Sequence, residues 1–410
     1  MRWHEHESYL CSDSPPVSSG SLLDFQRHRS RGHDPGVLLV PRLLPLSEKK
    51  WYLKVDFWLL CSSLRHGMLL LQRKEAIRTE LFLEDFTKTF YDFGTKKGYQ
   101  HMNTNTSVNN PSTVPAQEPY ITGSVTSQDG TTIGYRQLGH GPGVVLLHGA
   151  MESAQSHMQL AEALADTFTI YLPDRRGRGL SGPYGKDYSI QKDVEDMDAL
   201  LTKTGAHYVF GVSSGGLIWL QAALTLPAIH KAALYEPMLL INGSVPTTFV
   251  TRYDKEMAQG KVASALVTGM KGSQMGPPVF NAVPRWLLEL LTKMMIASED
   301  KKAKGDDVTM RMLAPTLHYD FQLVIESEGE LESFRAIRAE VLLLGGSTSP
   351  AFLKVALDAL EKVLPYAKRI ELPGLGHGGS GNTNSNTNRG GQPERVAQEL
   401  RRFFAEPYNS

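Results

Sequence analysis

The chain has almost no cysteine: two residues in 410, Cys11 and Cys61. That excludes a disulfide-stapled scaffold and any metal site built from several thiolates. An excess of either charge is also missing, since 43 Lys+Arg balance 43 Asp+Glu for a formal net charge of zero. Such a chain offers no basic face to a phosphate backbone, and no nucleic-acid partner is expected. Long apolar runs are absent too. The best attempt, 57–71, is broken by Arg65 and His66, and a membrane span needs about 18 apolar residues. Arg2, Glu5 and Glu7 are followed by no apolar core, so no signal peptide is readable. No H-E-x-x-H, phosphate-binding loop or G-x-G-x-x-G ahead of a helix occurs, so neither a metal nor a cofactor is expected. What is present, 41% hydrophobic and 21% charged residues, suits a soluble globular protein with a sizeable core, read here as cytoplasmic.

The chain changes character along its length. Residues 1–101 read as a poorly ordered or atypical N-terminal extension: Ser/Pro-rich near its start, then an apolar stretch split by Pro41 and Pro45. Only 74–93 has helical spacing there, with Phe82, Phe86, Phe90 and Phe93 on one side. Six of the 13 histidines and both cysteines precede Met102, but their spacings fit no ligand pattern. Residues 102–119 have linker composition. Met102 is a candidate start, with the preceding segment an upstream extension of the reading frame.

From Tyr120 a regular alternation begins. Two short strands flank Asp129-Gly130, the dipeptide of a tight hairpin. A fully apolar run at 143–147 and expected strands at 168–172, 208–212 and 231–235 alternate with helical spacing at 156–165, 190–204 and 217–226. The alternation resumes at 341–344 and ends in a helix at 394–404. This is the pattern of a mostly parallel sheet covered by helices on both faces. Residues 120–241 and 336–410 form the expected α/β core, and 242–335 is an expected helical cap inserted into it.

The strongest chemical signal is Gly211-Val212-Ser213-Ser214-Gly215-Gly216, a G-x-S-x-G between a predicted strand and a predicted helix. That turn strains Ser213 and lifts its hydroxyl clear of the sheet, with the helix's positive end behind it. The bland alternative is an ordinary glycine-rich turn with an incidental serine. His148-Gly149 follows the strand at 144–147. There the backbone N–H of Ala150 or Met151, together with that of Ser214, is placed to hold an oxyanion. Asp174-Arg175-Arg176-Gly177-Arg178-Gly179-Leu180-Ser181 follows the next strand. It reads as a glycine-rich turn rather than a phosphate patch. His377 sits on the glycine-rich loop Leu372-Pro373-Gly374-Leu375-Gly376-His377 after the last strand.

Serine first and histidine last on a parallel sheet is the order of an α/β-hydrolase. Through HG, DRRGRGLSG, GVSSGG and LPGLGH, in that order, residues 120–404 resemble α/β-hydrolase-fold proteins. The resemblance implies a Ser213–His377 pair completed by an acid. Here the sequence departs from the commonest pattern, because Ser349 stands where an Asp is expected and the next carboxylate, Asp358, lies well into a helix. The alternative is Glu236, 23 residues beyond Ser213 at the end of the strand after the nucleophile helix. Haloalkane dehalogenases and zearalenone-type lactonases are similar in placing a Glu there, and the lactonases also lack the later Asp. The competing reading makes Glu236 a strand-end carboxylate that caps the next segment. His140, His148, His157, His207, His230 and His318 are read as surface or structural positions.

A serine nucleophile does not suit dehalogenase or epoxide-hydrolase chemistry, which needs a carboxylate to form an alkyl ester. It suits acyl transfer, so the expected activity is cofactor-independent hydrolysis of a carboxylic ester, lactone or thioester through an acyl-enzyme. Two other readings remain: carbon–carbon bond hydrolysis on the same fold, and a non-catalytic member that binds a small molecule. Seven of the 14 methionines lie in 242–335, with Trp286, Phe280 and a leucine cluster at 287–291. They point either to a small hydrophobic substrate or to plain packing of the cap on the sheet. Nothing in the sequence sets the oligomeric state.

Overall fold

The computed structural model describes residues 120–408, except 242, 277 and 384–389. The extension at 1–101, its helix at 74–93, both cysteines and the linker at 102–119 lie outside the described residues. The strands are β1 (Ile121–Thr126), β2 (Thr132–Gly139), β3 (Gly143–Leu147), β4 (Thr169–Pro173), β5 (Tyr208–Val212), β6 (Lys231–Tyr235), β7 (Glu340–Gly346) and β8 (Ala367–Leu372). The central strands form where short, mostly apolar runs are bounded by glycine, proline or polar turns, and the edge strands β1 and β8 are more polar. The sheet order is β1-β2-β4-β3-β5-β6-β7-β8. The pairs β1–β2 and β2–β4 are antiparallel, and every other pair is parallel. This is the mostly parallel sheet that the alternation predicts, in the α/β-hydrolase fold that the resemblance implies.

Both faces are covered, which explains why the central strands are mostly apolar on both sides. Val145, Leu147, Val209, Leu234 and Leu343 face α2 (Ile190–Thr204), α3 (Ser214–Thr225) and α8 (Ala351–Val363). Val144, Leu146, Phe210, Ala233 and Leu342 face α1 (Met158–Leu164) and α9 (Pro393–Ala405). Between β6 and β7 run the helices α4 (Phe249–Ala258), α5 (Val262–Gly272), α6 (Arg285–Lys302) and α7 (Leu317–Glu326), in the interval read as a cap. No helix among the described residues is long and apolar enough to cross a membrane.

Two details differ from the sequence reading. The β1–β2 turn is longer than a two-residue hairpin. Gly130 N–H donates to Ser127 O (2.9 Å) and Ser127 N–H to Thr131 O (2.8 Å). Gly130, at φ 86°, thus closes a three-residue turn in the left-handed conformation only glycine takes easily. The apolar residues of 242–335 do not act as one set. Trp286, Leu290 and Met294 lie one turn apart on α6 and face outward, with Trp286 66% exposed. Met257 and Met275 instead pack against buried apolar clusters.

The strand order reverses between β4 and β5, on either side of β3. At such a switch point the loops after neighbouring strands part and leave a crevice at their C-terminal ends. The loops after β3, β5, β6 and β8, with the first residue of α3, carry all six candidate site residues.

Candidate functional site

Ser213 joins β5 to α3 at φ 55° and ψ −122°, a conformation costly for any side chain but glycine. Its neighbours explain how the turn closes. A Cβ at Gly211 would stand 2.6 Å from Trp219, and one at Gly215 would stand 2.5 Å from His148 O. Ser213 N–H donates to Tyr235 O (3.1 Å), and Ser213 O accepts from Leu217 N–H (3.1 Å) and Met238 N–H (3.0 Å). These bonds over-determine the strained residue and fix the direction of the next N–H, that of Ser214.

Glu236 directly follows β6, also with positive φ (47°), and its N–H is held by Leu344 O at 2.9 Å. Its carboxylate is fully buried. Oε2 lies 2.7 Å from His377 Nδ1, and Oε1 accepts the Gly346 N–H at 2.7 Å. Facing a carboxylate, Nδ1 carries the proton, which leaves the lone pair of the neutral ring on Nε2. The Tyr235 hydroxyl, its pKa raised by burial and by Glu236, donates to Gly376 O (2.7 Å) and steadies the histidine loop. Asp358 is exposed and paired with Arg369, not with His377. Ser349 is buried, and its hydroxyl has no hydrogen-bond partner among the described residues. The geometry thus joins His377 to Glu236. The Ser213 hydroxyl makes no hydrogen bond among the described residues, so it is not bonded to His377 here.

The loop after β3 is tied from below. His148 is buried, and its Nε2 accepts the Arg175 N–H (3.1 Å) while Nδ1 lies 3.0 Å from Gly149 O. Burial, with Arg178 and Arg175 beside it, holds its pKa well below the ordinary value, so the ring stays neutral. Gly149 N–H donates to Glu152 Oε2 (2.8 Å). His157 sits between Glu152 Oε2 and Ser380 O, both at 3.1 Å. Burial works against its proton, but those two acceptors prevail and raise its pKa. Met151 has positive φ (56°). The N–H groups of Ala150, Met151 and Ser214 have no acceptor among the described residues. The loop after His377 lies over this region: Asn382 bonds to Ser156 O and the Gln159 N–H, while 384–389 lie outside the described residues.

The arginines of the turn after β4 are buried and committed to carboxylates. Arg176 forks onto Asp196 (2.7 and 2.6 Å) and reaches Asp129 (2.6 Å). Burial nevertheless pushes Asp196 up to about 6. Arg175 reaches Asp193 (3.4 Å) and Asp320 (2.6 Å), and Arg178 pairs with the other oxygen of Asp320. Asp320 lies on α7 and also accepts from Ser214 Oγ at 2.9 Å. Sequence reasoning passed over Asp320. The available signal was indirect: three arginines following a buried strand require buried acids somewhere.

A sequence model described as the Alpha/beta hydrolase family matches residues 144–399. The chain is similar to the uncharacterized hydrolase YraK of Bacillus subtilis, 34% identical over 116 residues, 27% of this chain and 43% of that protein. It is 25% identical over 260 residues to the 3-hydroxybutyrate-oligomer hydrolase of Cupriavidus necator, covering 57% of this chain and 82% of that one. Among solved structures, an alpha/beta hydrolase from Sphaerobacter thermophilus matches with a TM-score of 0.55 and 29% identity, over 69% of this chain and all of that one. With the family model matching more than half its length, this chain belongs to the α/β-hydrolase family and is a hydrolase.

Proposed function

We propose that the protein hydrolyses a carboxylic ester, lactone or thioester of a small hydrophobic substrate through an acyl-enzyme on Ser213. The observation that carries this reading is the buried Glu236 carboxylate on His377 Nδ1. Glu236 fixes the tautomer whose Nε2 accepts the Ser213 proton as Oγ attacks the carbonyl carbon. The C=O electron pair moves onto oxygen, and the N–H groups of Ser214 and of Ala150 or Met151 stabilise that oxyanion. As the intermediate collapses and the C–O or C–S bond breaks, protonated His377 gives its proton to the leaving oxygen or sulfur, releasing an alcohol or thiol. A water, deprotonated by His377, attacks the acyl carbon in the second half, the bond to Ser213 Oγ breaks, and His377 returns the proton to Oγ as the acid leaves.

The hydrophobic-substrate reading rests on what adjoins the oxyanion loop. Ala150 and Met151 pack against Tyr253, Ala265 and Leu317, together with Met257, Leu266 and Phe321, all from 242–335. An acyl group held by the loop's N–H groups would meet that apolar wall. The Cupriavidus relative is described as acting on oligomers of a hydroxy acid, which is ester chemistry, and adds support for an ester substrate. The test is a panel of p-nitrophenyl esters, lactones, thioesters and diketones, with fluorophosphonate labelling of Ser213. Ester, lactone or thioester turnover abolished by Ser213→Ala is expected. Turnover of diketones alone would favour carbon–carbon hydrolysis, and absence of both labelling and turnover would favour a binding role.

A further inference from the structure

We infer that Asp320 on α7 is a positioning residue for the oxyanion hole, so that the hole is aligned only with α7 seated on the core. The inference rests on the function proposed above. An oxyanion hole works because its donors are fixed before charge develops, so whatever fixes them contributes to the rate. One donor is the Ala150 N–H, which shares a planar peptide with Gly149 C=O and points opposite to it. Gly149 O accepts from Arg178 Nη1 at 2.8 Å. The same guanidinium reaches Glu152 O at 3.3 Å, across the loop. Arg178 is in turn held by Asp320 Oδ2. The other donor belongs to Ser214, whose side chain donates to Asp320 Oδ1 (2.9 Å) and accepts from Arg175 Nη1 (3.0 Å). Arg175 Nη1 also donates to Asp320 Oδ1 (2.6 Å).

One carboxylate from the inserted helices therefore grips both sides of the hole, with its two oxygens divided between them. The group is buried, so its bonds are little weakened by solvent. Burial alone would raise the Asp320 pKa, but Arg178, Arg175 and Ser214 outweigh it and hold it below the ordinary value. Asp320 thus stays ionised at every pH at which an esterase would be assayed. Asp320 touches no reacting atom, and its effect passes through Arg178 and Ser214.

The test compares p-nitrophenyl butyrate with its thiono analogue, whose C=S sulfur forms weaker hydrogen bonds in the hole. Asp320→Asn should lower kcat on the oxo-ester about 10- to 100-fold, with KM within a few-fold; removing a whole oxyanion donor costs about 10²–10³. The preference for oxo- over thiono-ester should collapse in parallel, and a trifluoromethyl ketone should bind correspondingly less tightly. A merely structural role would lower both esters equally. Because Asp320→Asn leaves two buried arginines short of a counter-charge, Arg178→Lys is the second variant. It keeps the ion pair but loses the fork that spans Asp320 and Gly149 O. Loss of discrimination in either folded variant supports the inference. Full kcat, or an equal loss on both esters, in every variant that folds would overturn it while leaving the esterase reading intact. A wild-type protein that neither hydrolyses the oxo-ester nor labels at Ser213 would overturn both.

Discussion

Glu236→Gln is a sharper perturbation than a simple loss of charge, because both carboxylate oxygens are engaged as acceptors. Oε2 takes the His377 Nδ1 proton and Oε1 the Gly346 N–H, each at 2.7 Å. An amide has one acceptor and one donor, so it can satisfy only one of these. If its oxygen stays on Gly346, its NH₂ faces Nδ1, which must then be the lone-pair nitrogen. The ring proton moves to Nε2 and points toward Ser213, where a base is needed. If the amide flips, two N–H donors face each other in a fully buried site, which costs about 1–3 kcal/mol. The first arrangement is favoured, and it is the inactive one. Loss of the correct tautomer in a serine hydrolase lowers kcat by about 10⁴, equivalent to about 5.5 kcal/mol of activation free energy. KM should change little, since Glu236 lies beneath the site. The assay is steady-state hydrolysis of p-nitrophenyl butyrate, with circular dichroism to show that the variant is folded. A folded variant retaining more than a tenth of wild-type kcat would refute the reasoning.

Asp358→Asn should leave kcat within twofold, because Asp358 is exposed and paired with Arg369 rather than with the imidazole. Gly149→Ala should lower kcat at least tenfold in a folded protein, since the new Cβ would stand 3.0 Å from Ser213 Cβ and 3.1 Å from Val212 O. Leu266→Ala, in the apolar wall beside Met151, should reduce kcat/KM for an octanoate ester about tenfold while sparing an acetate ester. His157 contributes stability that is fully present below its unfolded pKa of about 6.5 and is lost as pH rises through its higher folded value. Thermal melts from pH 6 to 9 should therefore fall less steeply for His157→Gln than for wild type, and equal slopes would contradict that assignment.

The sheet was legible because its central strands are buried on both faces and so are written as short, mostly apolar runs between turn residues. The Ser213 turn was legible for a local reason: neither Gly211 nor Gly215 has room for a Cβ, so the turn must spell itself in small residues. Glu236 was reached by asking which strand end supplies an acid once Ser349 could not. The geometry sets Glu236 against His377, while the catalytic role remains a proposal for the kinetics above. Asp320 was not legible, since it meets Arg175 across 145 residues of chain and no local pattern marks a pairing at that distance. The same limit hid the outward turn of Trp286, Leu290 and Met294. Helical spacing groups such residues on one face, but it does not say whether that face meets protein or solvent.

The central claim is that Ser213 carries an acyl group during turnover. Rapid-quench mixing of wild-type protein with p-nitrophenyl butyrate, followed by digestion and mass spectrometry, addresses it directly. A butyryl group on the peptide containing Ser213, formed and lost at rates consistent with kcat and absent from Ser213→Ala, is the predicted result. Continued turnover by Ser213→Ala, or an acyl group mapped only to another residue, would contradict it.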